Sequence, residues 1–287
     1  MGKSLVSIGL PVFNGGPYLA QALDSLLAQT YPHTEIFISD NCSTDENEAI
    51  ARRYCAEFPR VRYSRNVSNI GAALNWQHVL KLARGEFFMW AAHDDLWEPT
   101  FIAEIMEGLL SDSEYVTGFC QFDKFNHPYG KTKQKLRDPP EFSADGDCAK
   151  NQIIYLTQPC YWMIHGIHRS DVLRRIVQIR SHRDMYDMFY DVYVPFRLLG
   201  EGKPYVVRRL LFHSGKREGQ LSANYRLQGP RILQAAWRNL SLRLAPYIVL
   251  HRSASLADRI AMVGALFDMR KRIKEKPHYR RVASQRC

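Results

Sequence analysis

The first half of the chain alternates short apolar runs with segments in which apolar residues recur every three or four positions. Short apolar runs are typical of buried strands, and the longer spacing is typical of helices with one buried face. The pattern predicts strands at Leu5–Leu10, Glu35–Ser39, Val61–Ser64 and Glu86–Ala91. Their starts lie about 25–30 residues apart, the period of βαβ units, so we expect a parallel sheet covered by helices, a doubly wound α/β fold.

Each predicted strand is followed by a predicted helix with one apolar face. These faces are formed by Leu19, Leu23, Leu26 and Leu27; by Ile50, Tyr54 and Phe58; by Ala73, Trp76, Leu80 and Ala83; and by Phe101, Ile102, Ile105 and Leu109. Pro17 suits the first turn of the first helix. Ser43 to Glu46 fits a capping box that would open the second helix.

The second half has a weaker pattern. Lys124–Asp147 is polar and rich in Lys, Pro and Gly, which predicts a loop. Apolar segments resume at Gln152–Ile167, and a helical pattern begins at Asp171. Two amphipathic helices are predicted after Pro230. We therefore divide the chain into a body, residues 1–222, and a helical C-terminal extension, residues 223–287.

The net charge of +10 is unevenly distributed. Tyr225 to Cys287 contains 14 basic and 3 acidic residues, whereas the preceding 224 residues contain 25 basic and 26 acidic ones. This distribution argues against a nucleic-acid partner and predicts a neutral body with a basic attachment surface. The apolar faces of the extension suit either an anionic membrane surface or packing on the body or on a second subunit of a homo-oligomer. Both alternatives stay open at this stage.

The six cysteines are scattered, without a CxxC motif, which favours free thiols in a reducing compartment. The segment from Ser4 already has the pattern of a strand, so we expect no signal peptide. The longest late apolar run, Ile260–Phe267, is much shorter than the ~20 residues that span a bilayer. The expected location is cytoplasmic, or peripheral on the inner membrane face.

Polar residues follow three of the predicted strands. They are Asn14, Gly15 and Gly16 after the first strand, Asp40, Asn41, Cys42 and Ser43 after the second, and His93, Asp94 and Asp95 after the fourth. In open α/β sheets, ligands bind outside the carboxyl ends of the strands. Adjacent aspartates suit Mg²⁺ or Mn²⁺, which are commonly shared with substrate phosphates. Each piece also has a plainer interpretation: Asp94-Asp95 as a helix start, Asp40-Asn41 as a turn, and Gly15-Gly16 as neither a Rossmann nor a P-loop motif.

Three segments in this order carry a resemblance: "VSIGLPVFNGGPYLAQALDSLLAQTY", "EIFISDNCSTDE" and "NVSNIGAALNWQHVLKLARGEFFMWAAHDD". They resemble family 2 of the inverting, nucleotide-sugar-dependent glycosyltransferases, which have the GT-A fold. The resemblance is dense over residues 4–110 and thins afterwards. It implies a nucleotide-sugar-binding half at 1–120, an acceptor-binding half at 121–222, and transfer of a sugar from a UDP or dTDP donor to a hydroxyl acceptor. A role in surface polysaccharide or glycolipid biosynthesis, with a lipid-linked saccharide as acceptor, would fit.

The resemblance also implies roles for individual residues. Asp40 would hydrogen-bond the base, Asp94 would lie near the ribose, and Asp95 would hold Mn²⁺ or Mg²⁺. His93 stands in a DxD-like motif where many relatives have Asp, so metal binding would depend on Asp95 together with diphosphate oxygens. The remaining nucleotide-sugar-binding positions are Pro11, Phe13, Asn14, Asn41, Asn69 and Gly71.

The segment "FYDVYVPFRLLGEG" resembles the element of this family that carries the general base, with Tyr190 in place of the usual Glu. The resemblance implies that Asp191 is the catalytic base that takes the proton of the acceptor hydroxyl. Asp187 is the competing candidate. The alternative is an ordinary amphipathic helix whose aspartates face water.

Three further residues have open assignments. His213 is either a metal or diphosphate ligand or a solvated histidine. Trp162 and His165 either contact the acceptor or are a packed aromatic and a surface histidine. Two other functions also stay open: a non-catalytic nucleotide-sugar-binding or membrane-scaffold relative, and a sugar nucleotidyltransferase, which the absence of a basic residue in "PVFNGGPY" disfavours.

Overall fold

The computed structural model describes residues 4–126, 136–177, 190–216, 244, 248 and 254–275. The strands are β1 (Val6–Val12), β2 (Thr34–Asp40), β3 (Val61–Arg65), β4 (Phe87–Trp90), β5 (Leu96–Trp97), β6 (Tyr115–Asn126), β7 (Ile167–Arg169) and β8 (Lys203–Lys216). The helices are α1 (Gly16–Leu27), α2 (Asn47–Glu57), α3 (Ala72–Leu82), α4 (Phe101–Ser111), α5 (Cys148–Thr157), α6 (Ser170–Ile176), α7 (Tyr190–Leu199) and α8 (Leu256–Glu275). A short 3₁₀ helix covers Tyr161–His165.

The strands form one sheet in the order β3-β2-β1-β4-β7-β6-β8-β5. The first four strands are parallel to one another. The sheet then becomes mixed, because β7 is antiparallel to both β4 and β6, β8 is parallel to β6, and β5 is antiparallel to β8. The predicted α/β fold is confirmed, and each of the four predicted strands lies within two residues of an observed one.

Burial explains why the first strands are almost continuously apolar. Every residue of β1, β2 and β4 is buried, as expected for parallel strands whose two faces are both covered. One apolar cluster packs α1, α2 and α4 on the sheet and includes Leu23, Tyr54 and Phe101. The other packs α3, α5, α6, α7 and α8 and includes Trp90 and Tyr155. The sheet therefore has helices on both faces.

The predicted helices of the first half are present, but the predicted capping box is wrong. Helix α2 begins at Asn47, and its N-cap, Glu46, makes no side-chain cap hydrogen bond. The hydroxyl of Ser43 accepts a hydrogen bond from the backbone N–H of Asn14 instead, at 3.0 Å. Ser43 therefore joins two strand-end loops rather than closing the end of a helix.

The second half is only partly within the described residues. Strand β6 continues to Asn126, two residues into the predicted loop, and Arg137 forms a single β-bridge with Phe122. Of the predicted C-terminal helices, the structure describes α8, which packs against α5. Residues 217–243 lie outside the description, so the division of the chain at residue 222 stays a prediction. Within the described ranges, no helix is both long enough and apolar enough to cross a bilayer.

Candidate functional site

The carboxyl ends of β2, β1 and β4 lie side by side at one edge of the sheet. Because neighbouring strands are separated by about 4.8 Å, the ends of β2 and β4 are about 10 Å apart. The loop after β1 contacts the loop after β2, since the side chain of Asn14 accepts a hydrogen bond from the backbone N–H of Thr44 at 2.9 Å. Pro11 and Val12 are buried in β1, whereas Phe13, just beyond the strand, is 42% exposed at this edge. The predicted segments therefore meet in space.

Two residues with special backbone requirements shape the loop after β1. Asn14 has a φ of 48°, in the left-handed region that asparagine tolerates better than most residues. A Cβ atom added at Gly15 would lie 2.1 Å from Cδ2 of His93. Glycine therefore allows the loop after β1 to lie directly against the loop after β4.

Asp40 is fully buried at the end of β2. Its Oδ1 accepts a hydrogen bond from the backbone N–H of Ser43 at 2.8 Å, and its Oδ2 accepts one from the hydroxyl of Tyr63 at 2.9 Å. The guanidinium of Arg65 lies 3.3 Å from the same Oδ2. Burial, together with the hydrogen bond to Asp40, raises the pKa of Tyr63 above its usual value. In this arrangement the carboxylate of Asp40 is enclosed by protein groups, and a direct contact with a base stays a prediction.

Asn41 organises the segment that leads into α3. Its Nδ2 donates to Oδ1 of Asn69 at 2.8 Å, and its Oδ1 accepts from the backbone N–H of Ile70 at 2.9 Å and from the side chain of Asn66 at 3.1 Å. Oδ1 of Asn69 also accepts from the backbone N–H of Gly71, whose φ of 85° favours glycine. The structure thus brings the predicted Asn69–Gly71 segment against the end of β2.

His93, Asp94 and Asp95 follow β4, and all three are buried. Oδ1 of Asp95 accepts a hydrogen bond from the backbone N–H of Gly215, at the end of β8, at 2.8 Å. Burial and then the neighbouring charge of Asp94 raise the pKa of Asp95 well above its ordinary range. The interpretation of this pair as a helix start is wrong, because β5 follows it and α4 begins only at Phe101.

Two adjacent buried carboxylates provide a negative charge that favours a cation. Among the described residues, no group of three or more His, Cys, Asp or Glu side chains has the arrangement of a complete metal site. A divalent ion at Asp95, beside Asp94, would therefore need further ligands, such as the oxygens of a bound diphosphate, which commonly bind Mg²⁺.

His213 does not join this pair. Its Nδ1 lies 2.7 Å from Oδ1 of Asp123, and its Nε2 lies 3.0 Å from Oε1 of Glu98. Both ring nitrogens face carboxylates of the protein, and a role of His213 as a metal or diphosphate ligand stays a prediction. The alternative of a solvated histidine does not fit, since the side chain of His213 is only 18% exposed.

Asp191 lies in the first turn of α7 and is partly buried. Burial raises the pKa of its carboxyl to about 7, although the backbone N–H groups of Asp191 and Val192 act in the opposite direction. The hydroxyl of Tyr155 donates to the backbone carbonyl of Asp191 at 2.9 Å and so fixes this turn. The side chain is still partly exposed, so the role of Asp191 as the base and the alternative of an amphipathic helix both stay predictions. The competing candidate, Asp187, lies outside the described residues.

An aromatic cluster connects the first turn of α7 to the end of β4. The ring of Tyr190 lies 5.8 Å from that of Trp90 and 6.0 Å from that of Trp76, in both cases edge to face. Trp76 and Trp90 stack on each other at 5.7 Å. Because Trp90 is the last residue of β4, this packing places Tyr190, the neighbour of Asp191 in the sequence, against the end of that strand.

His165 adds a neutral imidazole to the same region. Its ring stacks on Phe212 at 5.4 Å and meets the edge of Trp76 at 5.8 Å. Burial lowers the pKa of His165 to about 4, against the opposing effects of the Trp90 backbone and the charge of Asp94. His165 is thus half-buried among aromatic rings rather than free on the surface.

Trp162, by contrast, is a packed aromatic. Its indole donates to the carbonyl of Cys120 at 2.8 Å, and its ring lies 4.4 Å from that of Phe122. Of its two interpretations, packing is the one that these contacts describe.

The family model of "Glycosyl transferase family 2" matches residues 7–170, more than half of the chain. This chain belongs to glycosyl transferase family 2. The matched region covers β1 to β7 and includes the three strand-end loops, whereas α7 and α8 of this glycosyltransferase lie beyond it.

Two relatives illustrate the similarity. An uncharacterized glycosyltransferase of Rickettsia typhi is 26% identical over 267 residues, which cover 92% of this chain and 80% of the relative. TuaG of Bacillus subtilis, provisionally described as a glycosyltransferase of teichuronic acid biosynthesis, is 29% identical over 156 residues, covering 53% of this chain and 60% of the relative. Three further Rickettsia relatives are much longer, since the aligned part covers only 14–16% of their length.

Solved structures share the fold of this glycosyltransferase. Residues 1–349 of S. aureus TarS align with a TM-score of 0.67 at 17% identity, covering 96% of this chain and 74% of TarS. The complex of TarS with UDP-GlcNAc aligns at 0.59 and 17% identity, covering 92% of this chain and 80% of that one. A mannosyltransferase of Pyrobaculum calidifontis in complex with GDP-Man and Mn²⁺ aligns at 0.54 and 15% identity, covering 98% and 83%. The predicted GT-A fold is confirmed.

Sequence reasoning missed several groups at the site of this glycosyltransferase. Tyr63 and Arg65 bind Asp40, and Gly215 binds Asp95. The pairing of Asp40 with Arg65 follows from the register of β2 with β3, in which the two residues are direct partners. The predicted strand that ends at Ser64 stops one residue short of Arg65, so a longer strand would have been the signal. Gly215 lies 120 residues from Asp95, and no local pattern connects them.

Proposed function

We propose that this glycosyltransferase moves a sugar from a nucleoside diphosphate to an acceptor hydroxyl with inversion at the anomeric carbon. The observation that best supports the proposal is the surroundings of Asp191. It is a partly buried carboxylate with a pKa raised to about 7. Its neighbour Tyr190 packs on Trp90, the last residue of the strand that Asp94 and Asp95 follow.

Asp191 would act as the general base. A general base works best when its pKa lies near the working pH. A large fraction of it is then deprotonated, and the carboxylate is still basic enough to accept a proton. The carboxylate takes the proton of the acceptor hydroxyl, and the hydroxyl oxygen forms a bond to the anomeric carbon. The bond between that carbon and the diphosphate oxygen breaks on the opposite side, which inverts the configuration and releases the nucleoside diphosphate.

The donor would bind at the loops after β1, β2 and β4. Asn41 holds the Asn69–Gly71 segment, and Arg65 is about one-third exposed beside Asp40, so the pocket combines amide groups with one cation. The donor complexes of TarS with UDP-GlcNAc and of the mannosyltransferase with GDP-Man support a nucleotide sugar as the donor class. We favour UDP or dTDP as its nucleotide, on the resemblance of the Asp40 segment.

Asp95 would hold Mn²⁺ or Mg²⁺ together with the diphosphate, and Asp94 would lie near the ribose. When bound, such an ion neutralises the negative charge that develops on the leaving diphosphate. The Mn²⁺ in the mannosyltransferase complex supports a metal in a related fold. The buried, mutually repelling carboxylates of this chain are the observation that favours a cation here.

The acceptor would be a hydroxyl of a growing surface polysaccharide or a lipid-linked saccharide. The description of TuaG, which refers to teichuronic acid biosynthesis, supports this class of product. The replacement of the usual Glu by Tyr190 favours, as a second candidate, a relative that binds a nucleotide sugar without transferring it. Binding of a donor by calorimetry, without release of nucleoside diphosphate from any donor and acceptor, would identify that case.

The test is turnover of a panel of UDP-, dTDP- and GDP-sugars with Mn²⁺, followed as release of the nucleoside diphosphate. We expect Asp191→Asn to lower kcat by about 10²–10⁴-fold, the usual contribution of a general base. The rate of the unmodified enzyme should rise with pH through about 7, as Asp191 loses its proton, and this limb should vanish in Asp191→Asn.

Asp171→Asn is the matched control, because Asp171 is an aspartate near the start of a neighbouring helix but is 68% exposed and paired with Arg175. It should keep both the rate and the pH limb. Full activity of Asp191→Asn, or a limb near pH 7 that persists in it, would remove Asp191 as the base. Inversion is checked by the anomeric configuration of the product, measured by NMR.

A further inference from the structure

Helix α8 has apolar residues on two opposite sides. Met262, Leu266 and Met269 are buried against the body, where α8 packs on α5. Two large apolar residues on the other side, Leu256 and Ile260, are 74% and 64% exposed. Contiguous exposed apolar residues on a protein surface commonly mark a site of interaction with a protein or a membrane. Within the described residues the body covers only one side of α8, and the other side is open to a second environment.

The exposed side is a continuous strip. Leu256, Ile260, Val263 and Phe267 recur at intervals of three or four residues, which places them on one face of the helix, and all four are exposed. Over these eleven residues the strip is about 16 Å long. Small residues, Ala257, Ala261 and Gly264, lie between the large ones and are exposed as well. A Cβ atom added at Gly264 would meet nothing within 4 Å, so the strip is open to its surroundings.

The charge of the sequence around the strip indicates its partner. Lys271 is exposed one turn beyond Phe267. It lies within a strongly basic stretch of the sequence that contains a single acidic residue, Glu275, and these basic residues: Arg270, Lys271, Arg272, Lys274, Lys276, Arg280 and Arg281. An apolar strip followed by basic residues is the combination that places a helix in the headgroup region of an anionic membrane. Near such a surface each Lys or Arg contributes about 1 kcal/mol.

The same charge disfavours the other occupants. A second copy of the chain would bring an equal basic excess to the interface, and like charges repel at short distance. Nucleic acid would be attracted by the basic residues but would leave Ile260 and Phe267 exposed to water, so it does not account for the strip. An anionic lipid surface satisfies both the apolar and the basic residues.

We propose that α8 binds the surface of an anionic bilayer, with Leu256, Ile260, Val263 and Phe267 inserted among the lipid headgroups. The opposite side of α8 stays packed on α5, whose Tyr155 holds the backbone of Asp191. The lipid-facing helix and the first turn of α7 are therefore connected through a single intervening helix. This arrangement suits an acceptor that is itself carried in the membrane.

The experiment is sedimentation of the full chain with two kinds of vesicle, phosphatidylcholine alone and phosphatidylcholine mixed with phosphatidylglycerol. We expect binding to the mixed vesicles and little binding to phosphatidylcholine alone. Phe267→Ser should lower the partition coefficient on mixed vesicles by about tenfold, because it removes roughly one inserted aromatic side chain. Lys271→Glu should weaken binding to the mixed vesicles and make it less sensitive to salt.

Leu110→Ser is the matched control, since Leu110 is also an exposed apolar residue on a helix, α4, but lies on the body at 39% exposure. It should bind vesicles like the unmodified protein. Thermal unfolding of each variant identifies any that fail to fold, and Ile260→Ser repeats the test at a second position of the strip.

Three outcomes would overturn the proposal. They are equal binding by the Phe267→Ser and Leu110→Ser variants, equal binding to both kinds of vesicle, and absence of vesicle binding together with a dimer that Phe267→Ser dissociates in sedimentation equilibrium. The last outcome would assign the strip to self-association. The readout is binding rather than turnover, so this proposal and the proposed sugar transfer fail separately.

Discussion

The partial burial of Asp191 disfavours the charged form of its carboxyl group, and this affects both the proposed chemistry and the stability of the protein. Burial raises the pKa of its carboxyl to about 7, whereas an aspartate in an unfolded chain has a pKa of about 3.9. At a pH between these two pKa values, Asp191 is therefore protonated in the folded state and ionised in the unfolded state. By linkage, the stability of the protein falls as the pH rises from about 4 to about 7, and the loss persists above that range.

Asp191→Asn should therefore stabilise the protein at pH 8 and leave it nearly unchanged at pH 4. We expect a gain on the order of 1–2 kcal/mol in the free energy of unfolding, reduced from the full linkage value because the side chain is only partly buried. Urea unfolding at the two pH values measures it. Asp171→Asn, which removes an exposed ion pair, should change the stability by less than about 0.5 kcal/mol at both values. Equal effects of Asp191→Asn at pH 4 and pH 8 would show that its pKa is not raised.

Gly15 gives a second prediction at a single residue. Gly15→Ala would place a methyl group in steric overlap with the ring of His93, so the loop after β4 must move. We expect a loss of about 1–3 kcal/mol of stability, typical of overpacking, and a rise in the KM for the donor. Circular dichroism melts and steady-state kinetics measure the two effects.

Gly264→Ala is the control for Gly15→Ala, because its added methyl group meets no neighbour. It should stabilise α8 by about 0.5–1 kcal/mol, since alanine favours the helix more than glycine does. Unchanged kinetics of Gly15→Ala would contradict the close contact between the two loops.

At the scale of elements, the local pattern predicts well where strands and helices lie and poorly what they pair with. Strands β1 to β4 and helices α1 to α4 come from patterns within about twenty residues, and the sequence shows them. The pairing of β6 with β8 and of β5 with β8 joins segments about 90–120 residues apart, which no local period reveals. The failed capping box has a similar cause, because Ser43 binds a loop that lies 29 residues away in the sequence.

The side chain of Asn41 makes three of the hydrogen bonds that hold the segment from Asn66 to Gly71. Asn41→Ala removes three hydrogen bonds from this segment, each worth about 1 kcal/mol. We expect the KM for the donor to rise by about tenfold or more, with a smaller change in kcat, because the segment must be ordered again on binding. Steady-state kinetics with the preferred donor measures the two constants.

Asn151→Ala serves as the control for Asn41→Ala. Asn151 is a buried asparagine that accepts a hydrogen bond from the backbone N–H of Ser143, away from the strand ends. It should lower the stability without raising the KM. A similar KM for both variants would show that the Asn41 contacts do not serve the donor.

At the scale of the whole molecule, the candidate site is assembled from both halves of the chain. The sequence predicts the loops of the first half, since their polar residues follow apolar strands. It does not predict that Asp95 meets Gly215 of β8, or that His213 turns to Asp123 and Glu98. These contacts depend on the long-range order of the sheet, which has no counterpart in residue spacing.

This assembly leads to a prediction about metal binding. Mn²⁺ added together with UDP should raise the melting temperature more than either does alone, because each supplies what the other needs at Asp94 and Asp95. Asp95→Asn should abolish the extra shift. Asp123→Asn is the matched control, a carboxylate bound to His213 rather than to the pair, and should keep the shift. Loss of the extra shift in both variants would indicate that His213, which contacts Asp123, also takes part in metal binding.

The hydrogen bond between Asp95 and Gly215 also has a consequence for how the protein is made. The ribosome releases the chain from its N-terminus, at about 5–20 residues per second, so Asp95 emerges roughly ten seconds before Gly215. Until β8 is synthesised, the edge of strand β6 that pairs with it is unpaired. Unpaired strand edges can pair with other chains and so promote aggregation. Truncated or stalled chains of this enzyme should therefore depend on chaperones even though their first four strands can already form.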